Sequence, residues 1–247
     1  MKTVERIQIG QLPVDVVDLN GALDVIDELV ANGGGTVFTP NVDHVVVAEQ
    51  NARFRAAYSR ASLSLVDGMP VLWAARLLGQ PLPMKVSGSD LIEPLMQRAA
   101  QRGYRVYLFG GDDGVAEKAR DVLIQKFPGL NIVGWDNPRI NVDAISDELL
   151  AKIRATNPQL VLVALGAPKQ ELFCAEQREK LAPAVLLGIG ASLDFVAGIR
   201  KRAPRWMSRM GLEWLFRLAQ EPRRLAHRYL VRDPQFLWVL GKQIAGK

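Results

Sequence analysis

The run Leu160-Val161-Leu162-Val163-Ala164-Leu165 constrains this chain more than any other feature. It is apolar from end to end and leaves no wet face. A strand of that kind belongs inside a sheet covered on both sides, as parallel sheets are. Shorter runs rich in β-branched residues predict further strands at Thr36–Thr39, Leu63–Val66, Arg105–Phe109, Asn131–Gly134 and Val185–Ile189. Between them, helical patterns predict helices over Leu19–Ala31, Val42–Tyr58, Met69–Leu78, Asp90–Gln101, Gly114–Lys126, Val142–Ala155 and Lys169–Lys180. Strand–helix alternation of this order defines an α/β fold, a mainly parallel, Rossmann-like sheet with helices on both faces.

Charge divides the chain where the alternation stops. The net charge of +5 conceals a split near Gly198–Pro204. From Gly198 onward there are 12 Lys/Arg and 3 Asp/Glu, a net of +9, which leaves −4 for the residues before it. We therefore expect an α/β core over 1–197 and a basic helical appendage over 198–247. A weaker seam, around Gly79–Ser87, sits inside the core. The appendage is not a disordered arm, because Trp206, Trp214, Phe216, Tyr229, Phe236 and Trp238 lie within it. Met210, Trp214 and Leu218 recur at helical spacing, and so do Leu225, Ala226, Tyr229 and Leu230, with Arg223, Arg224, His227 and Arg228 on the opposite face. Pro222 and Pro234 divide it into about three short helices. Basic helices carrying Trp and Tyr suit an anionic membrane surface, or the lid over a bound diphosphate. The plainer reading is a solvated helical hairpin packed on the core. Nothing resembles a helix-turn-helix, zinc-finger or ribonucleoprotein motif, so no nucleic-acid partner is expected.

Composition removes other classes. One Cys excludes an internal disulfide framework and a Cys-rich zinc site, and two distant His make a His-rich metal site improbable. Charge at Met1–Arg6 argues against a signal peptide, and no apolar stretch reaches membrane-spanning length. The expectation is a cytoplasmic protein with a soluble body.

Ligands of open α/β sheets collect at the carboxyl ends of the strands. Five of those ends carry small or polar residues here. Asp67 follows Leu63-Ser64-Leu65-Val66 and can act as a general base, or can cap the helix that begins at Met69. Thr39 and Asn41 can bind a substrate hydroxyl, while Asn41 is equally a natural helix cap. Gly110-Gly111 would let backbone N–H groups approach a phosphate, although most such glycines only make turns. Lys169, Gln170 and Glu171 open a helix after the most apolar strand. They read either as solvated first-turn polarity or, at Gln170, as a sugar or nucleotide contact. Neither a Walker A loop nor a complete G-x-G-x-x-G is present, and Gly188-Ile189-Gly190-Ala191-Ser192-Leu193 is a near miss. There is no G-x-S-x-G, no H-E-x-x-H and no Asp-x-Asp. His44 reads as a satisfied polar residue and Cys174 as a packed small apolar one. With no Asp-x-Asp to hold a metal, a bound diphosphate would have to be neutralised by Arg side chains and backbone amides.

Eight runs in series resemble the WecG/TagA/CpsF glycosyltransferases. They are Thr39-Pro40-Asn41-Val42-Asp43-His44, Val66-Asp67-Gly68-Met69-Pro70, Val86-Ser87-Gly88-Ser89-Asp90, Leu108-Phe109-Gly110-Gly111, Gly166-Ala167-Pro168-Lys169-Gln170-Glu171, Gly188 to Phe195, Arg202-Ala203-Pro204-Arg205-Trp206 and Gly211 to Arg217. The resemblance runs from about residue 10 to the C-terminus. It implies an inverting transfer from a UDP-sugar to a sugar on polyprenyl diphosphate, at the inner face of a bacterial membrane. Typical family products are intermediates of teichoic-acid linkage units, enterobacterial common antigen, or capsular and exopolysaccharides. N-acetylmannosamine, its uronic acid and glucose all remain candidate donor sugars. The resemblance makes Asp67 the base and brings Thr39, Asn41 and Gln170 into the pocket. It implies no metal and no other cofactor, and an appendage that targets the membrane and completes the site. On this reading Asp90 joins the substrate-binding residues. Gly110, Gly111, Lys169, Arg217 and Arg224 become the nucleotide and diphosphate contacts. A homo-oligomer is compatible with it. Two other classes compete. A nucleotide-dependent oxidoreductase predicts NAD(P) binding, against which the broken fingerprint speaks. A non-enzymatic membrane adaptor predicts vesicle binding without nucleotide affinity.

Overall fold

A computed structural model describes residues 4–246. Part of the charged N-terminal start, Met1–Thr3, and the last basic residue of the appendage, Lys247, lie outside the described residues. The chain opens with a hairpin of β1 (Arg6–Ile9) and β2 (Leu12–Asp15), then α1 (Leu19–Ala31), β3 (Gly35–Phe38), α2 (Val42–Gln50) and α3 (Ala52–Ser59). β4 (Leu63–Ser64), α4 (Met69–Leu77), α5 (Gly88–Arg102), β5 (Arg105–Gly110), α6 (Val115–Lys126) and β6 (Asn131–Asp136) follow. α7 (Asp147–Ala155), β7 (Leu160–Ala164), α8 (Lys169–Gln177), β8 (Val185–Gly188) and the short α9 (Ser192–Val196) complete the alternation.

Strands β3 to β8 form one sheet in the order β4-β3-β8-β7-β5-β6, with every pair parallel. The α/β expectation is met, and the alternation of side chains shows why. Val161 and Val163 of β7 point into one core with Tyr107, Phe109, Phe38 and Leu186. Leu160, Leu162 and Ala164 point into a second core with Val106, Leu108, Val37 and Leu187. Helices α2, α3, α4 and α8 cover the first core and α1, α5, α6 and α9 the second. An unbroken apolar strand is the sequence record of a sheet with two dry faces.

Three expectations need correction. The hairpin β1–β2 was not foreseen, although Ile7 and Ile9 alternate with exposed residues and Gly10 turns the chain at φ +57°. It covers the β4 end of the sheet. Asp15 is buried there, accepts from Ser64 N at 2.7 Å, and holds Arg6 through Nε at 2.6 Å. This shields an edge that would otherwise expose unpaired backbone groups. The helix expected over Val42–Tyr58 is two helices, because Asn51 adopts extended backbone and caps α3 through Phe54 N at 3.0 Å. The helix expected from Val142 begins only at Asp147, after an N-cap at Ser146.

Beyond α9 come α10 (Arg205–Arg209), α11 (Glu213–Gln220), α12 (Pro222–His227), a π-helical turn (Arg228–Arg232) and α13 (Gln235–Ala245). This is more fragmented than the three helices that Pro222 and Pro234 suggested. Pro222 does open α12 and Pro234 precedes α13, but Gly211 adds a break at φ +71°. A Cβ at Gly211 would lie 2.7 Å from the Trp73 ring, so the break also allows the chain to approach α4 closely. α13 docks on α2 and the hairpin. Phe236 and Val239 join the first core, and Gln243 accepts from Gly10 N at 2.8 Å and donates to Gln8 O at 2.9 Å. No helix among the described residues is long and apolar enough to cross a membrane.

Candidate active site

A cavity of about 370 Å³ opens at the carboxyl ends of β3, β4, β7 and β8. Its floor comes from the turns after those strands: Thr39 and Asn41, Asp67, Gln170, and the Ile189–Ser192 segment. Lys85, Ser87 and Ser89 line it from the start of α5. Its roof is the appendage, through Glu213, Trp214, Arg217, Arg224, Arg228 and Tyr229. The sheet thus places residues distant in sequence around one space, as parallel α/β topology dictates.

Asp67 does not cap α4. Gly68 occupies the cap position at φ +97°, with no side-chain bond to the helix. The backbone N–H of Asp67 donates to Pro40 O at 2.8 Å, which holds the residue at the strand end. Among the described residues no group hydrogen-bonds its carboxylate. Burial pushes the pKa up to about 6, the Glu213 carboxylate adds to this, and Lys85 and Arg217 draw it partly back. A half-buried carboxylate with no hydrogen bond and this acidity is suited to accept a proton near neutral pH.

The neighbouring polar groups are more firmly committed. Thr39 Oγ1 donates to Gly188 O at 3.4 Å. Asn41 caps α2, its Oδ1 accepting from His44 N at 3.3 Å and also from Arg228 Nη2 at 3.3 Å. Gln170 is buried, accepts from Gly190 N at 3.0 Å and donates to Glu171 at 2.7 Å. It ties α8 to the loop after β8, and so sets the shape of the floor. Burial raises the pKa of Glu171 to about 7. His44 is held neutral, its pKa lowered to about 3 by burial and then by Arg228 and Arg232, and it pairs with Tyr58 Oη at 2.7 Å. Cys174 is buried, as expected.

Not every residue singled out in the sequence reaches the wall. Asp90 lies behind it, in a capping box with Ser87 and in ion pairs with Lys85 at 2.6 Å and with Arg202. Burial would raise its pKa, but these partners prevail and hold it down to about 2. Its charge is spent on neighbours. Gly110 and Gly111 also lie off the wall, and the Gly111 N–H is taken by Ala164 O at 2.8 Å. Lys169 is exposed on α8 and is not one of the residues that line the cavity. Arg217 and Arg224 do line the cavity. Arg224 pairs with Glu221 at 2.5 Å, whereas Arg217 has no carboxylate within ion-pair distance among the described residues. Sequence reasoning missed Lys85, Glu213 and Arg228 as wall residues. Lys85 sat in a segment read as a seam, and only packing reveals which face of each appendage helix turns inward. No cluster of three or more His, Cys, Asp or Glu converges to hold a metal among the described residues.

Fold and cleft together define an α/β enzyme that presents one unbonded carboxylate opposite a cationic wall. The comparison with known proteins is then specific. The chain matches the glycosyl transferase WecG/TagA/CpsF family over residues 7–247 and belongs to it. It is 35% identical over 193 residues to the N-acetylglucosaminyldiphosphoundecaprenol N-acetyl-beta-D-mannosaminyltransferase of Bacillus spizizenii (strain ATCC 23059 / NRRL B-14472 / W23), covering 78% of this chain and 74% of that protein. This protein is therefore a glycosyltransferase.

Proposed function

We propose that this enzyme transfers a sugar, of the N-acetylmannosamine class, from a UDP-sugar to a polyprenyl-diphosphate-linked sugar in cell-surface polysaccharide synthesis. The observation that carries the reading is Asp67, half-buried, its carboxylate without a hydrogen bond among the described residues and raised to a pKa of about 6, in a cavity that also holds Arg217 and Arg224. Asp67 removes the proton from the acceptor hydroxyl as its oxygen attacks the anomeric carbon. The bond from that carbon to the diphosphate oxygen breaks, UDP leaves with the electron pair from the opposite face, and configuration inverts. Arg217 and Arg224 bind the diphosphate of the donor and meet the further charge that develops on it as UDP leaves.

The appendage supports a membrane-linked acceptor. Trp206 is 59% exposed and Leu237 72%, and Met210, Leu230, Val231 and Trp238 are also exposed. Arg205, Arg209, Arg223 and Lys242 lie among them. Exposed aromatic and aliphatic side chains among cations suit the anionic headgroup layer, here the inner leaflet. Leu237 also lines the cavity, so the apolar surface reaches the site. The test is calorimetric titration with UDP in EDTA, with NAD as control. UDP binding without NAD binding is expected. Binding of NAD in its place, or of neither ligand, would refute the assignment.

A further inference from the structure

Arg228 has no site role in the sequence reading, yet it lines the cavity beside Arg224, one turn further along the appendage. Its guanidinium is held from behind. Arg228 Nε lies 3.3 Å from Asp43 Oδ2, and Arg232 Nε lies 2.5 Å from Asp43 Oδ1. Asp43 itself is 2% exposed, in the first turn of α2. One buried carboxylate of the core thus faces two arginines of the π-helical turn, and Asp233, 3.9 Å from Arg228, lies against the same cluster, its pKa pushed up to about 6 by burial, with the Asp43 carboxylate adding to this and Arg228 and Arg232 drawing it back.

The contacts are attractive but poorly bonded. Asp43 Oδ1, Arg228 Nε and Arg232 Nε are all buried without a hydrogen-bond partner. Arg228 has one hydrogen-bonded acceptor among the described residues, Asn41 Oδ1 at 3.3 Å. That oxygen is already shared with His44 N. A guanidinium carries five N–H donors in a planar fork that matches phosphate oxygens. This one is anchored by charge at Nε, while its Nη end touches a residue of the cavity floor and retains most of its donors. An arginine arranged so can donate to a diphosphate oxygen without moving, because the pairing with Asp43 fixes its place and does not use up its fork.

We propose that Arg228 is a further diphosphate-binding residue of the site, and that Asp43 is its positioning residue. The inference rests on the UDP-sugar reading above. It assigns the seam between core and appendage a task in binding as well as in docking. Arg232, which does not line the cavity, shares the charge of Asp43 and keeps the seam closed.

The experiment compares the affinities of UDP and of uridine, by calorimetry, for the full-length protein and its variants. The two ligands differ only in the diphosphate, so their ratio isolates the contacts made to it. Arg228→Ala should weaken UDP by about ten- to a hundred-fold, the range of a charge-assisted hydrogen bond. Uridine affinity should stay near wild type. Arg228→Lys keeps the charge against Asp43, and with it the fold, and should still lose part of the UDP preference because the fork is gone. Asp43→Asn should reduce the UDP-to-uridine ratio in the same direction, and Asp43→Glu should restore part of it. A purely structural role would weaken both ligands alike and leave the ratio unchanged, which would overturn the proposal. So would unchanged UDP affinity in Arg228→Ala. Absence of UDP binding by the wild-type protein would instead remove the donor assignment itself.

Discussion

Helices α8 and α11 both contribute to one cavity, and they are built in opposite ways. Six of the nine residues of α8 are buried, including the polar Gln170 and Glu171. None of the eight residues of α11 is buried. The first is locked by the core and by side-chain bonds such as Gln170 to Gly190. The second rests over the site with an apolar side and a polar side that carries Glu213 and Arg217, both partly in contact with solvent. The contrast separates two tasks within the proposed reaction. A carboxylate acting as base requires a packed support around it, whereas a charged, lipid-linked acceptor requires a surface that can exchange water for ligand.

If that division is right, damage to the core side should affect chemistry and damage to the appendage should affect binding. Asp67→Asn should give the largest effect, a loss in kcat of about 10²–10⁴, with UDP affinity near wild type. Near-normal turnover in this variant would end the role of Asp67 as base. Arg217→Ala and Arg224→Ala should each lower kcat/KM by about ten- to a hundred-fold, mostly through weaker diphosphate binding. Should either alter only thermal stability, the appendage would be a support and not a wall of the site.

The pH profile sharpens the same comparison. As the proposed base Asp67 must be unprotonated to act, so kcat/KM should fall about ten-fold per pH unit below its pKa of about 6. A flat profile from pH 4 to 7 would contradict this. Stability should move the other way. The folded-state pKa of Asp67 is raised above its ordinary value, so its contribution is fully present below pH 3.8 and lost as pH rises through about 6. Asp67→Asn should therefore melt above wild type at pH 8, by the equivalent of about 1–3 kcal/mol, and together with it in strong acid. The smallest effect belongs to the outer face of the appendage. Replacing Trp206, Leu230 and Trp238 by Ser should weaken binding to anionic phospholipid vesicles by about ten-fold and leave UDP affinity unchanged. Vesicle flotation checks the first part and calorimetry the second.

Much of this arrangement was legible in the residues. The dry strand at Leu160–Leu165 implied a sheet covered on both faces, and the strand ends directed attention to Thr39, Asn41, Asp67 and Gln170 before any geometry was known. These positions are readable because topology alone brings strand ends together. The hairpin was less legible, since its two strands are short and its value lies in covering an edge formed by a distant strand. Asp90, Gly110, Gly111 and Lys169 looked as suitable as Asp67 by residue type. They differ from it only in what surrounds them: Asp90 is neutralised by Lys85 and Arg202, the Gly111 N–H is bonded to Ala164, and Lys169 faces water.

By itself, then, the sequence determined the α/β class, the basic character of the appendage and the acid at the end of β4. Those follow from periodicity, charge and local order along the chain. Tertiary structure decided which polar groups remain unspent. Among the described residues the Asp67 carboxylate has no hydrogen bond and that of Asp90 does, Arg217 has no carboxylate within ion-pair distance and Arg224 is bonded to Glu221, and Asp43 reaches across the seam to Arg228. Whether a charged group is available to a substrate depends on its nearest neighbours in space, and a chain with 247 residues brings those neighbours from positions that no local pattern connects.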